Sequence, residues 1–261
     1  MNNGLLVVNN LSYTIDNRTI FNNLNMNIKQ GQIISIIGSN KCGKSTLINI
    51  LGGIYHTNDM ITIGKVTLNE KSKYGYYKKI GLINKDSDTS SERVNDYILE
   101  EVSRRDNNQF NYLLELFNIQ NLLDKPLSRL SKDNFIKVEF CKALMKKPSI
   151  LLIDYTNIDV SYDLKKVLTR VYKELVNDKI SVIYTTNDIN DILYSDITYV
   201  IHDGNIIISG DTKEVLKHDS LLLKVGIELP FEVDLSLKLK MYDLVDDIYF
   251  DIEKLVNKLW K

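Results

Sequence analysis

Nine consecutive residues set the first chemical expectation. Gly38, Ser39, Asn40, Lys41, Cys42, Gly43, Lys44, Ser45 and Thr46 read G-x-x-x-x-G-K-S-T. The glycines of such a run let backbone N–H groups turn inward around a phosphate, and the helix that follows adds the positive end of its dipole. Lys44 is the residue that reaches the β- and γ-phosphates, and the Ser45 hydroxyl is the one that ligates Mg²⁺. The surroundings fit. Residues 33–37 form an apolar strand-like run before the loop, and residues 47–51 begin a helical pattern after it. Cys42 lies between Lys41 and Lys44, a place where a thiol can be acidified and reactive. The plainer reading is adopted, in which a small side chain fills a variable position.

A phosphate loop needs a second element, an apolar strand ending in an aspartate that holds Mg²⁺ through water. Ile150, Leu151, Leu152 and Ile153 followed by Asp154 supply it. Many buried strands end in Asp, so this run says little alone. Downstream of a phosphate loop, with a helical segment between, it becomes specific.

These residues must be held by a larger frame. Residues 5–8, 24–28, 61–68 and 80–83 read as further strands, and residues 91–128 turn to a helical period. A helix is predicted from Ser131 to about Met145. Strand and helix then alternate through a helix at 164–176, a strand at 180–184, a short helix at 188–193 and a hairpin at 197–208 around Asp203 and Gly204. That alternation predicts a largely parallel sheet, with antiparallel strands at the start. Past about Leu216 the texture becomes a tail rich in Leu, Asp and Lys.

Composition narrows the class. The chain has 261 residues, is 44% hydrophobic and carries a net charge of −1, so it can bury a full core and has no electrostatic footprint for nucleic acid. The short basic run at 71–79 reads as solvated surface. No apolar run approaches the ~20 residues that span a bilayer. Met1, Asn2 and Asn3 begin a stretch with no signal-peptide pattern. The two cysteines suggest no metal site. A soluble protein is expected.

With both phosphate motifs in place, the chain resembles the ATP-binding cassette (ABC) family. Tyr13 stands where that family has an aromatic that stacks on adenine. Leu130, Ser131, Lys132, Asp133 and Asn134 stand where it writes L-S-G-G-Q. Near the end, residues 225–231, with Leu235, Leu237 and the stretch 255–260, look like the C-terminal extension of the ATPases of energy-coupling factor (ECF) transporters. The resemblance implies an α/β P-loop NTPase fold. Its core sheet is mostly parallel, with an N-terminal antiparallel β subdomain, a helical insert at about 91–145 and a small C-terminal extension. It places the nucleotide-binding domain at 1–217 and the extension at 218–261. It implies ATP and Mg²⁺ as cofactors, and a second cassette, a transmembrane coupling subunit and a substrate-binding membrane subunit as partners. The location implied is the cytoplasmic face of the membrane. A non-hydrolysing regulatory cassette, acting as an interaction switch, is the alternative.

The departures from the family pattern gather at hydrolysis. The glutamate that polarises the attacking water is replaced by Tyr155, whose phenol ordinarily titrates near ~10 and is a poor base. The switch histidine falls at Asn187, which donates a hydrogen bond but carries no charge. The Mg²⁺-contacting glutamine aligns with Lys85, and a one-residue slip offers Asn84 instead. The D-loop aspartate aligns with Ser161. In the signature, Ser131 survives, while Lys132 and Asp133 replace two glycines. A carboxylate ~4 Å from phosphate costs on the order of 4 kcal/mol at an effective dielectric of ~20. The expectation is a chain that binds Mg-ATP, hydrolyses it poorly alone and works as a heterodimer.

Overall fold

A computed structural model of the chain describes residues 4–57, 60–100, 102 and 106–260. Met1, Asn2 and Asn3, read above for a leader, and residues 101 and 103–105 of the expected insert lie outside these.

The central sheet follows from unbroken apolar runs. β3 (Ile33–Gly38), β7 (Ile150–Asp154) and β8 (Ser181–Thr186) are buried at every position. A strand buried on both faces belongs in a parallel sheet covered by helices. With β6 (Ile80–Ile83), β9 (Ile197–His202) and β10 (Asn205–Asp211) they form six strands in the order β10-β9-β3-β8-β7-β6. β9-β3-β8-β7-β6 pair in parallel, and β10 returns antiparallel on β9. Asp203 and Gly204, both at positive φ, close that return. A Cβ on Gly204 would lie 1.9 Å from the Ile20 carbonyl oxygen, so only glycine fits where this turn meets the other sheet.

The second sheet is antiparallel and its strands outrun expectation. β1 (Leu6–Ile15) and β2 (Arg18–Ile28) form a long hairpin, with Asp16 and Asn17 at positive φ in its turn. The strands pass through polar positions because Asn10 and Asn23, also at positive φ, sit where the pairing register slips. The expected strand at 61–68 is instead two short ones, β4 (Ile61–Ile63) and β5 (Val66–Thr67), because Gly64 turns the chain at φ +58°.

Helix α1 (Lys44–Leu51) leaves the phosphate loop and packs between the sheets. In the basic run at 71–79, Lys71, Lys73 and Lys78 face solvent as read, but one ring between them does not. The run forms helix α2 (Lys73–Tyr77), and Tyr76 is wholly buried with its hydroxyl donating to the Leu51 carbonyl at 2.8 Å. A ring at the right spacing outweighs the lysines around it. The insert holds α3 (Val94–Leu99), α4 (Asn107–Phe117) and α5 (Lys132–Met145), sharing an apolar core with β7 and α6 (Tyr162–Asn177). A short α7 (Ile189–Ile192) follows β8. After β10 come α8 (Thr212–Leu216), α9 (Asp219–Lys224), α10 (Phe231–Met241) and α11 (Ile252–Leu259). Their Leu222, Val233 and Ile248 region shares one cluster with Ile37 of β3 and Val200 of β9.

Tyr76→Phe should leave the Leu51 carbonyl at the end of α1 without its partner. The expected loss is about 1–3 kcal/mol in unfolding free energy, read by urea denaturation.

Candidate functional site

Parallel strands deliver their C-terminal ends to one edge of a sheet, and here three neighbours do so together. β3 ends in the phosphate loop, β7 ends at Asp154 and β8 ends at Thr186. The pairing sets Asp154 opposite Thr185. Over this edge lies a cleft of about 500 Å³ lined by Lys44, Ser45 and Thr46, by Thr156 and Asn157, by Asn187 and by Arg18 and Ile20 of the hairpin.

The loop is built for an anion. Gly43 caps α1 at φ +106° and offers no side-chain acceptor, so no side chain caps the first-turn N–H groups of α1. Gly38 is required by packing, since a Cβ there would sit 2.1 Å from the Ile201 carbonyl oxygen and 2.8 Å from Cys42 Sγ. Ser39 and Asn40 complete the turn, and Lys41 adopts a left-handed φ of 64°. The Lys44 side chain curls back, its Nζ 2.8 Å from both the Gly38 and Ser39 carbonyl oxygens and 3.7 Å from Cys42 Sγ. Burial holds its ammonium below the usual lysine range, and Cys42 and Asp154 pull the other way. Cys42 is buried against the loop, in keeping with a packing role.

Asp154 is fully buried, and its two oxygens differ. Oδ1 accepts from the Thr156 hydroxyl at 2.5 Å, the Thr185 hydroxyl at 2.6 Å and the Thr156 N–H at 3.2 Å. Oδ2 is buried with no partner in the structure. Such an orphaned oxygen suits a cation, and Ser45 Oγ lies one hydroxyl away, 2.6 Å from Thr156 Oγ1. Mg²⁺ bound with nucleotide takes one or two protein ligands and leaves the rest to phosphate and water, so these donors fit it. Thr156 and Thr185 stand at this carboxylate, and the sequence reading missed both. The available signal was a hydroxyl two residues past Asp154 and another at the end of the adjacent strand.

The remaining sequence-derived positions divide. Asn187 is exposed and lines the cleft. Tyr155 does not line it. Its hydroxyl bonds that of Tyr172 and its ring lies 5.7 Å from that of Tyr184, on the wall of a different cavity between α6 and α7. Burial raises its phenol well above the ordinary range. Tyr13 stacks on Tyr55 at 5.9 Å, near parallel, outside the lining of the cleft, where Arg18 and Ile20 form the hairpin wall. Asn84 turns back to Asn49, 3.4 Å away and one helical turn behind Ser45. Lys85 faces a separate cavity of about 380 Å³ with Tyr97, Glu139 and Lys142.

The signature segment is engaged within the chain. Ser131 caps α5 by accepting from the Asn134 N–H at 3.4 Å. Lys132 Nζ lies 3.3 Å from both Asp86 Oδ2 and Asp159 Oδ2. Asp133 accepts from the Ser161 N–H at 3.2 Å and from its hydroxyl at 2.5 Å. Ser131 does not line the cleft over its own phosphate loop.

The sequence profile of the ABC transporter family matches residues 21–156, from β2 to just past Asp154. The chain belongs to the ABC transporter family. It is an ABC ATPase, a member of a class that binds ATP. Among curated relatives it is 28% identical over 268 residues to energy-coupling factor transporter ATP-binding protein EcfA1 of Ligilactobacillus salivarius, covering 98% of this chain and 95% of that one. It is 29% identical over 264 residues to EcfA1 of Mesomycoplasma hyopneumoniae, covering 96% and 94%. Among solved structures it resembles CbiO1 of Clostridium perfringens, part of the ABC transporter complex CbiONQ. The TM-score is 0.72 and the identity 25%, over 87% of this chain and 96% of the other.

Beside Lys85, Glu139 is buried with Oε1 accepting from the Tyr97 hydroxyl at 2.5 Å. Burial raises its carboxyl, and Tyr97 and Lys142 oppose that. A folded-state pKa raised above the unfolded one means stability is complete below the ordinary carboxylate range and falls as pH rises through the raised value. Glu139→Gln keeps an acceptor for Tyr97 and should remove this fall. Denaturation midpoints from pH 4 to 8 should be flatter in the variant than in the parent.

Proposed function

We propose that this chain is the ATP-binding subunit of an ECF-type importer and that it couples ATP binding and hydrolysis to uptake of a micronutrient through membrane partners. The observation that carries this is the contrast within one site. The phosphate loop, Ser45 and the orphaned oxygen of Asp154 converge on a cleft, while Tyr155, at the position of the family's glutamate, is turned away from it. Binding equipment is intact and the base is missing. Lys44 swings from its carbonyl partners to the β- and γ-phosphates, and Tyr13 stacks the base. Ser45 and Asp154 hold Mg²⁺, whose charge offsets that of the β- and γ-phosphates. The EcfA1 relatives, matched along nearly their whole length, support the ECF assignment.

The working unit in this reading is a heterodimer with a more complete cassette, docked on a transmembrane coupling subunit and a substrate-binding membrane subunit. It sits peripherally on the cytoplasmic face. Among the described residues no helix is long and apolar enough to cross a membrane. Residues 1–217 form the nucleotide-binding unit and 218–261 the extension. A homodimer would repeat Tyr155, Asn187 and the altered signature at both sites. In a heterodimer the partner's own phosphate loop is completed by Ser131 and α5 of this chain, and most turnover occurs there.

The contacts of Lys132 and Asp133 within the chain favour a second reading, a regulatory cassette that binds ATP without hydrolysing it and switches an interaction. Turnover by the assembled complex separates the two, since the regulatory reading expects none.

Lys44→Ala should abolish ATP binding or weaken it severely, measured by calorimetry on both proteins; equal affinity would remove Lys44 from the site. The purified chain alone should hydrolyse ATP far below the ~1 s⁻¹ ordinary for enzymes, since a lost general base typically costs ~10² to 10⁴.

In the co-expressed heterodimer, inactivating the partner's phosphate-loop lysine should reduce turnover far more than Lys44→Ala does. Loss of all turnover on Lys44→Ala alone, with nucleotide bound and the dimer intact, would overturn the asymmetry.

A further inference from the structure

We propose that Thr156 is a positioning residue for the cation that accompanies ATP. The inference rests on the reading of the cleft as an ATP site and adds a residue to it. Thr156 follows Tyr155, which is turned away, and its own side chain lines the cleft. Its hydroxyl lies 2.5 Å from Asp154 Oδ1 and 2.6 Å from Ser45 Oγ.

Proton counting fixes the direction of this chain of bonds. A carboxylate oxygen only accepts, so the single hydroxyl proton of Thr156 is committed to Asp154. The Ser45 contact must then run the other way, with Ser45 donating to Thr156. That turns the lone pairs of Ser45 Oγ away from Thr156 and leaves them for a cation. The same bond, with the Thr185 hydroxyl at 2.6 Å and the Thr156 N–H at 3.2 Å, saturates Oδ1 and leaves Oδ2 as the free oxygen. One hydroxyl therefore orients both proposed ligands. Outer partners that orient metal ligands typically carry a ~10- to 100-fold share of metal affinity.

The test reads cation coupling rather than turnover. The dissociation constant of ADP is measured by calorimetry in EDTA and in excess Mn²⁺, and the ratio of the two is compared across variants. Bound Mn²⁺ is counted independently by loss of the free-ion electron paramagnetic resonance signal. Thr156→Val, nearly isosteric, should cut the ratio about tenfold or more. Thr156→Ser should keep it, because the hydroxyl alone carries the effect. Thr156→Ala serves as the second deletion of the hydroxyl should the valine variant fold poorly.

A wild-type ratio in both Val and Ala variants overturns the proposal. So does an equal loss of affinity with and without Mn²⁺, which is what a merely structural role would produce. If the parent binds ADP but shows no manganese effect, Thr156 loses its role while the nucleotide site stands. If the parent binds no nucleotide, the reading of the cleft fails with it.

Discussion

A single buried carboxylate organises this molecule. Asp154 sits at the end of β7 with no exposed surface, three hydrogen bonds on one oxygen and none on the other. Burying a charge without a partner is costly. Part of that cost is offset by the Thr156 hydroxyl just past β7, by the Thr185 hydroxyl opposite it on β8, and by the Lys44 ammonium. The parallel order β3-β8-β7 thus brings the phosphate loop, the carboxylate and the Asn187 turn to one edge. Each stretch contributes little alone. A shift of one residue between β7 and β8 would remove Thr185 from Asp154 and point the strand's alternate side chains at the wrong layer.

The departures from the family pattern make a coherent set once packing is seen. Tyr155 is one member of a tyrosine cluster with Tyr172 and Tyr184, held between α6 and the sheet. A phenol there gains aromatic contact and gives up the cleft. Position 161 has a serine where the resemblance places an aspartate, and the carboxylate that meets it comes from Asp133, where the resemblance places a glycine. Lys132 ties the same end of α5 to the loops carrying Asp86 and Asp159. Charges that look disruptive for a phosphate in a facing subunit are satisfied inside this chain. The Lys132 pairs lie at the surface and are screened by solvent, so each contributes little. Their effect is to set where the start of α5 rests.

The C-terminal segment is built onto the sheet. Val225, Ile227, Val233 and Ile248 pack in one cluster with Ile37, the residue before Gly38, and with Val200 on β9. That segment and the root of the phosphate loop therefore share one set of close-packed side chains.

Much of this was legible in residue order because it depends on local rules. The G-x-x-x-x-G-K-S-T run, the apolar strand before it and the Ser131 cap of α5 are set by backbone freedom, strand burial and helix-end hydrogen bonding. Each of these acts within a few residues. The buried runs of β7 and β8 likewise announce a covered parallel sheet. What residue order left open depends on contacts between distant segments. Tyr76 was hidden among lysines because its burial is decided by the end of α1, 25 residues earlier. The choice between Asn84 and Lys85 turned on side-chain direction, and neither lines the cleft: Asn84 meets Asn49, and Lys85 lines a separate cavity. Thr156 and Thr185 carry no motif, and their importance follows from strand register. Tyr155 holds the glutamate's place in the chain but not in space, because aromatic packing across α6 and β8 outweighs sequence position in deciding where a side chain points.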